Sequence, residues 1–274
     1  MRIKLLPFNN QGGNGLMTCD LSNLKGYTID RIVLSLGGTA FVKSNISLFQ
    51  VKANTKIIYD DTGSSIDARM KYRGIFDAAG FFTLDFSEIR SKTIVGQQLG
   101  SLDTTFGIDQ LSLEVTVTGA TAPTLVGWAE VSAPQMNALG KHVPEAALIA
   151  KVLRYQHVFA AGGSALAFQV PYGSKGGSLV KRIHFQHTGK LTGVQLKKNG
   201  LVIDDTVDVL NAFNLQEFQR VPQANVYTLD FIKDGNQSNA LNTANANTFE
   251  IYGNLTAADN VTVVLETLDT LANN

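Results

Sequence analysis

Cysteine, proline and charged residues are all scarce in this 274-residue chain. Cys19 is the only cysteine, which excludes an intrachain disulfide and a zinc site built on cysteines. We expect it to be a small buried side chain. No stretch reaches the roughly 18 consecutive apolar residues that a membrane-spanning helix needs. Because 44% of the residues are hydrophobic and only 17% are charged, the chain is expected to bury a core and not to be disordered.

The chain also lacks an excess of either charge. Basic and acidic residues number 23 each, with 12 of each in residues 1–137 and 11 of each in residues 138–274. A protein that binds nucleic acid through its phosphates has a clustered basic excess, so we expect no direct contact with nucleic acid. The apolar run near the N-terminus is broken by Pro7, so we expect no export signal and synthesis in a reducing cytoplasm. A neutral chain lacks repulsion between copies, which favours an assembly subunit.

Four segments recur in the same order in the two halves of the sequence, with an offset of about 144 to 151 residues. The matched pairs are Phe8–Ile32 with Phe159–Ile183, Ile57–Asp61 with Leu201–Asp205, Phe82–Phe86 with Tyr227–Phe231, and Leu111–Thr118 with Val261–Thr267. One such match arises readily by chance, whereas four in order indicate an internal duplication.

The repeated segments have the alternation of β-strands, with a period of two over Leu111–Thr118 and over Leu153–Phe159. About eight strands in each half predict an all-β fold of two tandem eight-stranded antiparallel jelly-roll barrels, a double jelly roll. We assign residues 1–133 to an N-terminal jelly roll, residues 134–150 to a linker, and residues 151–274 to a C-terminal jelly roll. One short helix is expected in the linker, after Pro144.

Further short helices are predicted in the loops that connect the strands. Ser65 is placed to cap a helix over Ile66–Tyr72, and Thr206 is placed to cap one over Val207–Ala212. A second pair is predicted around Glu88–Leu99 and Asn239–Ala246, with a polar surface loop as the alternative for the latter. The helices therefore occupy matching positions in the two halves.

Residues that carry catalytic or metal-binding chemistry are few. The four histidines are His142, His157, His184 and His187. The last two are three positions apart and face opposite sides of a strand, whereas a metal site on one strand needs ligands two apart. The sequence contains neither a Gly-x-Ser-x-Gly nucleophile elbow nor a phosphate-binding loop. We therefore predict no catalytic, cofactor-binding or metal-binding residue, and no enzyme.

Two acidic pairs, Asp60-Asp61 and Asp204-Asp205, are the strongest candidates for a functional site. Carboxylates in loops can bind Ca²⁺, which takes six to eight oxygen ligands. Paired glycosidase carboxylates must face each other across a cleft, and neighbours on a strand point apart. Aspartates that form turns at strand ends are the simpler interpretation.

Over nearly its whole length the chain resembles the double jelly-roll major capsid proteins of tailless, membrane-containing icosahedral phages, of the corticovirus type. The likeness lies in the Arg31-Ile32 and Arg182-Ile183 strands and in the segment Tyr227–Phe231. It is greatest from Val180 to Thr267. These segments are parts of a scaffold and do not form an active-site signature.

The resemblance implies a homotrimer of six barrels, a pseudo-hexameric capsomer that tiles the virion capsid over an internal lipid membrane. The partners that it implies are neighbouring capsomers, vertex or penton proteins, minor membrane proteins and the membrane surface. Arg2 and Lys4 are expected nearest the membrane, because basic residues attract anionic lipids; a frayed N-terminus is the alternative. No cofactor is implied, and Ca²⁺ is left open as a structural ion without assigned residues.

Two other classes of protein are compatible with tandem β-barrels. A tandem β-sandwich of the carbohydrate-binding, lectin-like kind would expose aromatic residues on a sheet face or loop. Trp128 is the only tryptophan, and aromatic residues make up 8% of the chain, which is thin support. A metal-dependent enzyme with two barrels would need clustered histidines in both halves, and the repeated segments share none.

Overall fold

The computed structural model describes residues 1–76, 78–105, 107–134, 148–173 and 178–271, and gives the backbone alone for 94 and 95. The expected linker helix and His142 lie outside these residues. None of the described helices has the length and apolarity that a membrane span requires.

Each half of the chain runs through a similar series of short strands with one ten-residue helix. The elements of the first half are β1 (Arg2–Lys4), β2 (Gly15–Asp20), β3 (Thr28–Thr39), β4 (Ile46–Ala53), β5 (Lys56–Asp61), α1 (Gly63–Tyr72), β6 (Phe81–Asp85), α2 (Ile94–Gln98), β7 (Leu102–Asp103), β8 (Leu111–Val117) and β9 (Thr121–Ser132). Those of the second half are β10 (Ile149–Phe159), β11 (Gly163–Phe168), β12 (Leu179–Gln186), β13 (Leu191–Lys198), β14 (Leu201–Val207), α3 (Asp208–Glu217), β15 (Val226–Asp230), β16 (Leu241–Asn242), β17 (Phe249–Leu255) and β18 (Asp259–Asp269).

The two halves share one strand topology. In the first barrel, one sheet has the order β1-β9-β3-β6 and the other β5-β4-β8-β2. The second barrel repeats both orders, as β10-β18-β12-β15 and β14-β13-β17-β11. The two-residue strands β7 and β16 add to β3 and β12 at matching positions. Eight antiparallel strands in two packed sheets form each barrel, which confirms the predicted double jelly roll.

The two barrels are joined through a continuous sheet. Strand β10 of the second barrel pairs in parallel with β5 of the first, with Val152 opposite Tyr59. A nine-stranded sheet therefore runs from one barrel into the other. The predicted division at residues 134–150 stays a prediction; β9 ends at Ser132 and β10 begins at Ile149.

Each barrel has its own hydrophobic core between its two sheets. The first core includes Met17, Phe49 and Val115, and the second includes Phe185 and Val263, all fully buried. Alternation along the strands produces this arrangement, because every second side chain of β8 points inward. Cys19 lies in the first core as expected, and burial raises the pKa of its thiol to about 11.

The structural repeat differs in register from the predicted one. Residues 49–85 match residues 194–230 position by position, and Asn54 and Asn199 adopt the same left-handed conformation at φ 53° and 51°. Asp60 therefore corresponds to Asp205, one residue away from the predicted match. The tight Asn turns fix the register of both hairpins, whereas the pair of aspartates matches equally well in two registers.

The predicted match between Leu111–Thr118 and Val261–Thr267 is wrong by one strand. By sheet order β8 corresponds to β17, and β9 corresponds to β18. Val and Thr are frequent in β8 and in β18 but absent from β17, so composition pairs β8 with the wrong strand.

Both ten-residue helices lie where they were predicted, but their caps differ from the prediction. Helix α1 begins at Gly63, and Thr62 is its cap, with an Oγ1 that accepts a hydrogen bond from the Ser65 amide at 3.3 Å. Ser65 lies inside the first turn. Helix α3 starts after Val207 without a side-chain cap, while Thr206 remains in β14.

The second predicted pair of helices is mostly wrong. Within Glu88–Leu99 only Ile94–Gln98 is helical. In Asn239–Ala246 a 3₁₀ turn over Gln237–Asn239 leads into β16, so the alternative of a polar loop is the better description. Asn side chains accept hydrogen bonds from nearby backbone amides here, as Asn236 does from the Ser238 amide, and such bonds compete with a helix.

Candidate functional site

Charged side chains are buried in large number where the first barrel packs against the second. We call this group the interbarrel cluster. Each of its side chains is at most 9% exposed. Its five cations are Arg69, Arg73, Lys181, Arg182 and Arg220, and its five carboxylates are Asp61, Asp85, Glu88, Asp230 and Glu266. The formal charges cancel, as burial of so many ions requires.

Arg182 on β12 lies at the centre of the cluster. Its Nη1 donates to Glu88 Oε1 at 2.9 Å and to Glu266 Oε2 at 3.0 Å. Its Nε donates to Asp230 Oδ2 at 3.1 Å. The planar guanidinium thus binds three carboxylates, and one of them, Glu88, belongs to the first barrel.

Arg69 on α1 makes the reciprocal contact from the first barrel. Its Nη1 donates to Glu266 Oε1 at 2.5 Å, and its Nη2 binds Asp61 Oδ2 at 2.7 Å and the Tyr59 hydroxyl. Glu266 on β18 is therefore held by one arginine from each barrel. Because a guanidinium presents its donors in a fixed plane, this contact constrains the angle between the barrels as well as their distance.

Glu88, in the loop after β6, is the second carboxylate shared between the barrels. It accepts from Arg73 of its own barrel at 3.0 Å and from Lys181 of the second barrel at 3.0 Å. Beside it, the Tyr72 hydroxyl donates to the Asp230 carboxylate at 2.8 Å.

The surrounding cations keep the shared carboxylates ionised. Burial by itself would raise the pKa of Glu88, but Arg182, Arg73 and Lys181 lower that pKa well below its usual value. The pKa of Glu266 is also held well below its usual value, against burial, chiefly by Arg69. Both groups therefore carry their charge at neutral pH.

A buried cluster of this kind specifies geometry more than it adds stability. Transfer of two ions out of water costs several kcal/mol each, and their attraction roughly offsets that cost. Removal of one partner is different, because it leaves an uncompensated buried charge at a cost of about 3–5 kcal/mol. The cluster therefore penalises any relative position of the barrels that separates Glu88 or Glu266 from its arginines.

The described histidines behave as sheet and surface residues. His184 is fully buried in the interbarrel contact, with Nδ1 2.9 Å from Thr228 Oγ1 and its ring 5.6 Å from that of Tyr72. Burial lowers the pKa of His184, so it is neutral at pH 7. His187 follows the strand and accepts a hydrogen bond from the Gly189 amide at 3.0 Å. Within the described residues, no three His, Cys, Asp or Glu side chains converge as metal ligands.

The two acidic pairs have separate structural partners. Asp61 is fully buried against Arg69, and Asp60 lies 3.3 Å from Arg154 across the interbarrel contact. In the second barrel, Asp204 accepts from Thr206 Oγ1 at 2.7 Å, and Asp205 accepts from Gln195 at 2.7 Å. Asp60 and Asp61 end strand β5, as the strand-end interpretation expects, and they serve the contact between barrels. Asp204 and Asp205 lie inside β14, so that interpretation is wrong for the second pair.

The N-terminal residues are ordered, so the alternative of a frayed terminus is wrong. Residues Arg2–Lys4 form an edge strand on β9, and Arg2 binds Glu130 at 2.5 Å. The membrane-facing position expected for Arg2 and Lys4 stays a prediction.

Trp128 lies on the outer sheet of the first barrel, in an open groove of about 340 Å³. The groove has a basic edge and an aromatic floor, and it is lined by Arg2, Arg31, Val33, Phe76, Ala78, Phe81, Thr83 and Trp128. Phe76 and Phe81 are 87% and 48% exposed. Sequence patterns did not single out this groove, because its residues come from four separate segments.

A triad of charged residues is repeated in the two barrels at matching positions. Arg182 is opposite Asp230 on one neighbouring strand and Glu266 on the other. Arg31 is opposite Asp85 and Glu130 in the same way. The sequence repeats the arginine in its Arg-Ile segments and the aspartate in its Leu-Asp-Phe segments. It did not show that these segments lie on adjacent strands, opposite each other.

Two barrels of identical topology, joined by a continuous sheet and by buried ion pairs, define a double jelly-roll protein. Two family models match the chain, viral coat protein P2 N-terminal domain over residues 2–132 and viral coat protein P2 C-terminal domain over residues 149–271. The chain therefore belongs to the viral coat protein P2 family, which confirms the expected class and its location in the virion capsid.

Solved capsid structures share this fold. The major capsid protein P2 of bacteriophage PM2 matches with a TM-score of 0.85 and 17% identity, over 100% of both chains. A chain of the Sulfolobus turreted icosahedral virus matches with a TM-score of 0.66 and 15% identity, over 99% of this chain and 91% of the viral chain. A chain of the PBCV-1 capsid matches with a TM-score of 0.62 and 12% identity, over 98% of this chain and 94% of the PBCV-1 chain.

No curated protein sequence matches the chain. The family models and these capsid structures give no support to the lectin-like alternative.

Proposed function

We propose that this coat protein is a major capsid subunit that assembles as a homotrimer, with its six barrels in a ring. Such pseudo-hexameric trimers tile a flat lattice and cover an internal lipid membrane. Neighbouring capsomers, vertex proteins and minor membrane proteins are its partners. Its role is structural and involves no catalysis.

The observation that supports this proposal is the interbarrel cluster. A ring of six barrels closes only if the two barrels of each chain keep a fixed relative angle. Arg182 and Arg69 tie Glu88 and Glu266 across the contact, and β10 continues the sheet of the first barrel. A chain that behaves as one rigid block of two barrels is the building unit that such a ring needs.

Native mass spectrometry of the purified full chain tests the trimer. We expect a main species of about 88.5 kDa, three times the chain mass of 29.5 kDa. Negative-stain images of that species should show a hexagonal outline. A monomer that persists at tens of micromolar contradicts the proposal.

Contact with the membrane is tested separately. Flotation with vesicles that contain anionic lipid should recover the trimer, and neutral vesicles are the control. Equal recovery from both kinds of vesicle, or from neither, contradicts electrostatic attraction of the trimer to an anionic membrane surface.

A further inference from the structure

The internal repeat shows how one barrel of this kind docks on the next. Within the chain, β5 and α1 of the first barrel lie against β10, β18 and β12 of the second. In the strand topology, the elements of the second barrel that correspond to β5 and α1 are β14 and α3. The elements of the first barrel that correspond to β10, β18 and β12 are β1, β9 and β3. We call the surface of β14 and α3 the tail face, and the surface of β1, β9 and β3 the head face.

Strand register matches the head face with the covered surface of the second barrel. Val152 lies opposite Glu266, and Arg2 lies opposite Glu130 at the same place in the triad, so Arg2 corresponds to Val152. Lys4 then corresponds to Arg154. Each head-face residue thus has a counterpart whose surroundings are known.

Residues of the second barrel that correspond to the head face are buried, whereas the head face itself is exposed to solvent. His184, Val264 and Thr228 are at most 2% exposed beneath the first barrel. Their matches, Val33, Trp128 and Thr83, line the groove of about 340 Å³. An aromatic groove of this size at a position that is covered in the sister barrel is the surface of an interface.

The tail face is apolar and exposed in the same way. On α3, Val209, Leu210 and Phe213 are 81%, 50% and 57% exposed, and on β14 Leu201 is 71% exposed. The counterpart of Leu210 is Ser65, which contacts Gln186 of the second barrel. Leu210 therefore lies where α1 makes its contact within the chain, and Val209 and Phe213 extend the apolar surface beside it.

Charges on the two faces are complementary. Within the chain Val152 is opposite Tyr59, and the corresponding pair between copies is Arg2 with Asp204. Arg154 lies 3.3 Å from Asp60, and the corresponding pair is Lys4 with Asp205. Each pair between copies therefore joins a cation on the head face to an anion on the tail face. The pair of Arg2 with Asp204 is charged even though its counterpart within the chain, Val152 with Tyr59, is not.

We propose that the tail face of one copy docks on the head face of a second copy, with β14 beside β1 in parallel and Lys4 paired with Asp205. The contact is heterologous, and a ring of three copies closes when six barrels alternate between contacts within a copy and contacts between copies. This inference rests on the trimer proposed above and assigns the residues of its seam. It places Arg2 and Lys4 between copies of the protein, away from lipid.

Cysteine cross-linking tests the seam directly, because Cys19 is buried and does not interfere. The variant Arg2→Cys with Asp204→Cys should form covalent dimers and trimers under mild oxidation, seen on non-reducing gels. Arg2→Cys with Val158→Cys is the matched control, since Val158 is 77% exposed and lies outside both faces. Cross-linking of the first variant and not of the second supports the seam.

Charge reversal supplies an independent measurement. Lys4→Glu alone and Asp205→Lys alone should each raise the trimer dissociation concentration at least tenfold, and the double reversal should restore it. Lys190→Glu, on an exposed side chain outside both faces, should leave it unchanged.

The outcomes separate the seam from the trimer. A wild-type trimer without specific cross-links, or without rescue by the double reversal, overturns the seam and leaves the trimer standing. A wild-type monomer without cross-links overturns both. Equal cross-linking in the Val158 control also overturns the seam, because it shows random collision.

Discussion

Arg182→Met is the perturbation that tests the interbarrel cluster most sharply. It removes one of five buried cations and leaves Glu88, Asp230 and Glu266 without their common partner. Burial of an uncompensated charge costs about 3–5 kcal/mol, so we expect a loss of that size in the free energy of unfolding. For a chain of this length, each kcal/mol corresponds to about 2–4 °C in melting temperature.

The repeat provides a matched control at Arg31. This residue holds the same position in the first barrel and binds Glu130 at 2.6 Å, but its side chain is 24% exposed. Partly exposed ion pairs contribute about 1 kcal/mol or less, so Arg31→Met should cost far less than Arg182→Met. The two substitutions remove the same atoms from the same strand position, but Arg182 is fully buried with three carboxylate partners, whereas Arg31 is partly exposed with one.

Urea unfolding followed by fluorescence measures both free energies. Each variant is compared at several protein concentrations, because dissociation of an oligomer adds a concentration-dependent contribution that must be separated. If Arg182→Met does not fold, Arg182→Lys retains the charge, loses the planar fork and should show an intermediate loss. Equal losses for the Arg182 and Arg31 variants would refute the argument from burial.

Three further predictions concern acid sensitivity, a helix start and a helix cap. The pKa values of Glu88 and Glu266 are lowered by folding, so their contribution is complete above about pH 4.3 and is lost as pH falls through the folded values. The urea midpoint should therefore drop between pH 5 and pH 3, and a constant midpoint would contradict the ionised cluster. Gly63→Ala should lower stability by about 1–3 kcal/mol, because its Cβ collides with a backbone carbonyl, whereas Gly13→Ala, in open space, should stay within about 0.5 kcal/mol by the same unfolding assay. Thr62→Ala should cost about 1 kcal/mol through loss of the α1 cap, and an unchanged melting temperature would argue against that cap.

The fold could be predicted from the sequence because duplication leaves a signal that is independent of any single strand. Segments such as Phe82–Phe86 and Tyr227–Phe231 recur as β6 and β15 with their registers intact. Finer assignments failed where strands at different positions in the sheets have similar composition, as β8 and β18 have. Local alternation fixes that a segment is a strand, but strand order depends on contacts far apart in the chain.

The interbarrel cluster was not predictable by the same means. Arg69 and Glu266 are 197 residues apart, and each has the polarity of a surface residue. Charged residues are mostly exposed in folded proteins, so sequence patterns assign them outward by default. Only the packing of α1 against β18 brings this pair out of water.

The repeated triad connects the two kinds of contact. Arg31, Asp85 and Glu130 hold in the first barrel the positions that Arg182, Asp230 and Glu266 hold in the second. Where the first barrel covers the second triad, it adds a partner of opposite charge to two of its members, Arg69 to Glu266 and Glu88 to Arg182. In place of Arg69, α3 has Asn214, and two members of the triad it would cover, Arg31 and Glu130, remain partly exposed.

This difference fits the two roles. Contact within a chain forms once during folding and can include fully buried ions, whose desolvation is offset by many partners. Contact between copies must form from hydrated surfaces, where apolar groups and partly exposed charge pairs supply affinity without burying an unpaired ion. If the seam is as we propose, replacing Asn214 by arginine should strengthen the trimer through Glu130, as Arg69 does through Glu266. Measurement of the dissociation concentration of Asn214→Arg decides this, and a weaker trimer would show that the two contacts do not share one geometry.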